Sequence, residues 1–132
     1  MHAERLIRIS LGAGSAFNLG VAWVLATPGS ALGQRFGLPP EPGPIYPGLC
    51  AVLVALFGLA YAWLAAQRRM DQALLGLAAS GKAAVFVLFA VLWTRGAVSE
   101  VVLLAAVGDL GFAALWAWWL LRGARRSRGD AA

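Results

Sequence analysis

QALLGLAASGKAAVFVLFAVLW, running from Gln72 to Trp93, holds one charged side chain, Lys82, at its middle. A helix crosses the hydrocarbon of a bilayer in about 20 residues, so this run has spanning length. Three further runs share that character: Ile9–Ala26, Ile45–Ala66 and Val98–Leu121. The first can begin as early as Leu6 if Arg8 snorkels to the interface. Four such runs in 132 residues predict an all-α membrane protein, an up-down bundle of four transmembrane helices in a single domain.

Composition excludes the soluble alternatives. The chain is 61% hydrophobic and 13% charged, with mean hydropathy +0.74; soluble domains carry about 25% charged residues. A globule this small leaves much of its surface in water, so the apolar excess needs lipid as solvent. The net charge of +5 raises nucleic acid as a partner. The basic residues, however, lie at chain ends and in a short loop, where anionic headgroups suffice and no nucleic acid is implied. Cys50 is the only cysteine and His2 the only histidine. No intrachain disulfide, thiolate cluster or haem held by two histidines of one chain is available, and no metal or other cofactor is expected. Cys50 reads as a small packing residue.

The connections are unequal. Gln67–Asp71 and Thr94–Ala97 are short, which predicts antiparallel neighbours; Thr27–Pro44 is long. All six prolines fall within Pro28–Pro47. Pro39, Pro40, Pro42 and Pro44 forbid a continuous helix there. Ser30–Phe36 fits one interfacial turn, with Leu32 and Phe36 on a shared face. The loop reads as a connector lying on the membrane. Pro47 falls in the first turn of the second span, where its missing N–H costs little.

Arginine placement orients the bundle. Arg5, Arg8, Arg68, Arg69, Arg122, Arg125, Arg126 and Arg128 fall on one side, Arg35 and Arg95 on the other. The positive-inside rule then puts both termini in the cytoplasm; the chain is expected to be a multi-pass protein of the inner (plasma) membrane. Trp23, Trp93 and Tyr46 fall toward outer span ends; Trp63, Trp116, Trp118 and Trp119 fall toward inner ends, as an interfacial belt would. Arg5, Arg8 and the small residues Gly29-Ser30-Ala31 imitate a signal peptide. The first run is longer than the usual apolar segment of one, and Asn18 is out of place in a discarded segment.

Small residues recur at four-residue spacing: Gly12, Ala16 and Gly20; Gly58, Ala62 and Ala66; Gly76, Ser80 and Ala84. Such stripes let helices approach closely in lipid, within one chain or between copies.

Asn18, Lys82 and Asp109 each sit near the midpoint of a different run. A charge at that depth costs about 2.5–3.5 kcal/mol on insertion scales and marks a site by default. Lys82 and Asp109 are expected to pair, and Asn18, both donor and acceptor, can bridge them or a ligand. Ala105, Ala106 and Ala113, with Gly108 and Gly111, are expected to leave room around Asp109. Glu100 is a secondary candidate that suits the positive end of its helix dipole. Tyr61 is another, with a hydrogen-bonding core tyrosine as the bland reading.

Gly76-Leu-Ala-Ala-Ser-Gly81-Lys82 matches the glycines and lysine of a phosphate-binding loop. That loop must follow a strand and carry Ser or Thr next, whereas Ala83 follows here inside an apolar run, so no nucleotide is expected. A retinal Schiff base on Lys82 is also disfavoured, since four short helices offer little room for a polyene.

Phe17-Asn18-Leu-Gly20-Val-Ala-Trp23, Leu56-Phe57-Gly58-Leu-Ala-Tyr61, Gly81-Lys82 and Gly108-Asp109-Leu, taken together, resemble a set of small uncharacterised bacterial four-helix membrane proteins, DoxX-like in general form. The resemblance implies asparagine in the first helix and Gly-Lys in the third, matched by Asn18 and Gly81-Lys82. It implies Asn-Asp in the fourth, where Gly108 replaces the asparagine. DoxX itself is associated with a quinone-linked oxidoreductase complex; the cysteine pair, haem ligands and flavin motif of redox chemistry are missing from this chain.

Three functions remain open from sequence. The first is binding or passage of a small ligand or proton through Asn18, Lys82 and Asp109. The second is an accessory subunit packed in a larger membrane complex or homo-oligomer. The third is an enzyme on a lipid-soluble substrate, with Lys82 and Asp109 as acid–base groups.

Overall fold

The computed structural model describes residues 2–38, 43 and 45–129, with side chains through Arg122. The described residues are all-helical and contain no strand. Four long helices, α1 (His2–Ala26), α3 (Ile45–Ala66), α4 (Gln72–Thr94) and α5 (Glu100–Gly129), accompany one short helix, α2 (Ala31–Arg35). The spanning portions are His2–Ala26, Ile45–Ala66, Gln72–Thr94 and Glu100–Arg122, each long and apolar enough to cross a membrane.

Local chemistry sets the boundaries. Asp71 caps α4, its carboxylate accepting from the backbone N–H of Ala73 at 2.9 Å and of Leu74 at 3.0 Å. Gly96, at φ +69°, takes the left-handed turn that closes α4, and Ala97 N–H returns to the Leu92 carbonyl at 2.9 Å. The fourth long helix therefore starts at Glu100, two residues later than expected. The first starts at His2, well before Ile9, because Glu4 and Arg8 pair one turn apart and support helix in a charged segment.

The expected interfacial turn is α2, capped by Ser30 Oγ at 3.1 Å from Gly33 N–H. Gly33 sits so close to Pro28 that a Cβ would lie 2.3 Å from its carbonyl oxygen. Pro39, Pro40, Pro42 and Pro44, the proline run expected to break the helix, lie outside the described residues.

The helices pack as two pairs, α1 against α3 and α4 against α5, with much thinner contact between the pairs. Gly58 lets α1 and α3 close: a Cβ there would lie 3.3 Å from Asn18 Cβ and 3.2 Å from Leu19. Arg8 locks the same pair at the other end. Its guanidinium donates to the Ala65 and Gln67 carbonyls at 2.7 and 2.6 Å, satisfying groups that α3 leaves open at its C-terminus. Arg8 thus does more than snorkel.

The core sits between the pairs and holds Ile7, Leu11, Tyr61, Leu64, Leu75 and Trp116. Trp116 corrects the belt expectation. It is fully buried, and its indole N–H donates to Ser10 Oγ at 2.9 Å, whereas Trp23, Trp63 and Trp93 are exposed as a belt requires. Of the small-residue stripes, little packs within the chain. Gly12, Ala16, Gly20, Ala62, Ala66, Ser80 and Ala84 face outward, and Gly58 alone of those residues is buried. The close contact on α1 belongs instead to Gly14, beside Trp116 at 3.4 Å.

Candidate functional site

Asn18, Lys82 and Asp109 come together. Each is more than nine-tenths buried, and Lys82 is 4% exposed. The Lys82 ammonium donates to Asn18 Oδ1 at 2.7 Å. It forms an ion pair with Asp109 Oδ1. Three helices supply the three side chains: α1, α4 and α5. Lys82 and Asp109 meet within the α4–α5 pair, and the bond to Asn18 crosses to the α1–α3 pair.

Aromatic faces complete the shell. Lys82 Nζ lies 5.0 Å from the centre of the Phe17 ring and 5.6 Å from those of Tyr61 and Phe112. A desolvated ammonium over a ring face gains about 2 kcal/mol or more. The rings therefore add electrostatic support where water is excluded, beside the two oxygen acceptors. Phe112 follows Asp109 by three residues on α5, and Phe17 precedes Asn18 directly on α1, so each oxygen ligand brings a ring with it. Sequence reading missed both rings as part of the site. Their i+3 and i−1 offsets from polar mid-span residues were the available signal.

Tyr61 is a core tyrosine, 3% exposed, its ring edge-on to Trp116 at 5.2 Å and 67°. It connects the polar cluster to the Ser10–Trp116 hydrogen bond, a second polar link between the helix pairs. Ser10 is buried and also donates to the Ile7 carbonyl at 2.8 Å. Nothing in the sequence singled Ser10 out.

The remaining candidates lie apart. Glu100 is exposed in the first turn of α5, where a carboxylate complements the helix dipole. Gly108 and Gly111 face outward with open space beyond them, so the room expected beside Asp109 comes from Ala106 and Ala113, both buried. Cys50 is exposed rather than packed inside.

Two crevices open on the surface. One, of about 180 Å³, lies between α3 and α4 and is lined by Leu56, Phe57, Ala60, Tyr61, Leu74, Leu77 and Ala78. The other lies near the outer loop, against Leu25, Tyr46 and Cys50. Neither is lined by Asn18, Lys82 or Asp109; Tyr61 stands between the first crevice and the ammonium. No family model, curated protein or solved structure matches the chain.

Proposed function

We propose that this protein is a multi-pass inner-membrane accessory bundle whose Asn18–Lys82–Asp109 cluster is an internal clasp. The clasp holds two loosely touching helix pairs in one register. The observation that carries this reading is closure: Lys82 is bonded to one partner from each pair, is faced by three rings, and lines neither crevice. In hydrocarbon, apolar side chains gain little from leaving lipid for one another, so polar links and close packing carry helix association. The start of α1 meets the end of α3 through Arg8, and Ser10 meets Trp116 in the second half of α5. Those contacts support an up-down arrangement with both termini on one side, and the arginine distribution assigns that side to the cytoplasm.

A second reading, passage of a proton or small ligand, leans on Asp109. Its side chain is 10% exposed against 4% for Lys82, and its bond to the ammonium uses Oδ1 alone. Flux separates the two. Proteoliposomes carrying the wild type should dissipate a pH gradient no faster than those carrying Lys82→Met with Asp109→Leu. Faster dissipation that the paired substitution abolishes would return the cluster to transport.

A further inference from the structure

We infer that the crevice between α3 and α4, whose two walls are joined by the loop carrying Arg68 and Arg69, is a binding site for one anionic phospholipid. The acyl chain enters the crevice and the phosphate meets the two guanidinium groups.

The loop that joins α3 to α4 holds Arg68 and Arg69, both exposed. Neither forms an ion pair among the described residues. The nearest acid in sequence, Asp71, is committed to capping α4. Glu4 is committed to Arg8, whose guanidinium also contacts the Arg68 carbonyl at 3.4 Å. The turn thus carries two guanidinium groups against the one carboxylate of Asp71 and keeps a net positive charge.

The crevice begins directly beyond that turn. Ala60 precedes the end of α3 by six residues, and Ala78 follows the start of α4 by six. At 1.5 Å per residue both lie about 9 Å into the helices from the same loop. That is the depth of the first acyl methylenes below a phosphate held at the helix ends. The walls are Leu56, Ala60, Leu74 and Leu77, with Tyr61 as floor, and almost no polar atom faces the space. An apolar cavity of about 150 Å³ stays dry and accepts benzene, so about 180 Å³ accommodates part of a hydrocarbon chain. At this depth hydrocarbon chains are the surrounding medium. Basic pockets between membrane helices are the usual seats of anionic headgroups. Positive charge on the loop that joins the two walls favours an anionic headgroup over a zwitterionic one, and the apolar slot takes its chain.

The test uses the full chain reconstituted in vesicles of equal phosphatidylglycerol and phosphatidylcholine, extracted in mild detergent and weighed by native mass spectrometry. The wild type should retain phosphatidylglycerol about fivefold or more over phosphatidylcholine, the factor expected for one basic side chain near an anionic headgroup. Arg68→Gln with Arg69→Gln should bring the two lipids to parity. Leu77→Trp, at an exposed position on the crevice wall, should lower retention of both lipids by filling the slot; Ala60→Phe should do the same from α3. Parity in the wild type would overturn the proposal. So would a preference that survives loss of both arginines, or retention that neither filling substitution lowers.

Discussion

Lys82 and Asn18 join the two helix pairs of this protein through a single 2.7 Å hydrogen bond, buried between α4 and α1. The amide oxygen takes one N–H of an ammonium whose carboxylate partner belongs to its own pair. The bond therefore reports on the seam, whereas the ion pair reports on the α4–α5 unit.

Asn18→Leu keeps the branched shape, though with a larger side chain, and removes that acceptor. The ammonium is left with Asp109 and three ring faces. The loss should be about 1–2 kcal/mol, between the usual value for a membrane hydrogen bond and that for one to a charged group. Reversible unfolding in mixed micelles measures it.

Glycines on α1 and α3 should respond in opposite ways. Gly58→Val places a branched side chain 3.2–3.3 Å from Leu19 and Asn18, so α1 and α3 must part and Asn18 must shift. The expected cost is about 1–3 kcal/mol, typical of overpacking. Gly12→Ala and Gly20→Ala meet open space. They should be neutral or stabilising by about 0.5–1 kcal/mol through helix propensity. Thermal unfolding of the three variants in one lipid system tests the contrast.

Arg8 serves as a fork. It reaches Glu4, the Ala65 carbonyl and the Gln67 carbonyl at once. Lysine is a point charge and cannot reproduce that geometry. Arg8→Lys should therefore resemble Arg8→Gln, and both should speed hydrogen exchange in the last turn of α3 and the loop after it. Wild-type protection in Arg8→Lys would contradict this role.

Much of the architecture was readable because hydrophobic length is a coarse and strong signal. Ile45–Ala66 coincides with α3 at both ends, and the depth arithmetic for Lys82 and Asp109 put amine and carboxylate at one height. What failed was the assignment of faces. A helix in lipid is apolar all round, so periodicity does not separate Gly12, which faces out, from Gly14, which packs on Trp116. The same blindness made Trp116 a belt residue, although its N–H was to find Ser10 in the core. Charged turns hid the true start of α1, since hydropathy cannot see helix held by a Glu4–Arg8 pair. The cluster itself was legible as three polar residues at mid-depth. Its ring shell was not, because phenylalanine is unremarkable in a membrane helix.

Lys82 is the one lysine of the chain, which makes its burial directly readable. A membrane-permeant amine-reactive reagent should modify the N-terminal amine while leaving Lys82 unlabelled in folded protein. Unfolding in detergent should expose it. Labelling of folded protein at the unfolded rate would show the ammonium open to its surroundings and would remove the basis for a closed clasp.

The most direct measurement is a double-mutant cycle on the ion pair. Lys82→Met and Asp109→Leu singly should each cost about 3–5 kcal/mol, because each strands a buried charge. Together they should cost far less than the sum, within about 1–2 kcal/mol of the wild type, since well-packed apolar residues replace a buried pair at little loss. Single substitutions that are nearly silent, or a double variant whose loss equals the sum of the two, would contradict the buried ion pair that holds Lys82 in place for its bond across the seam.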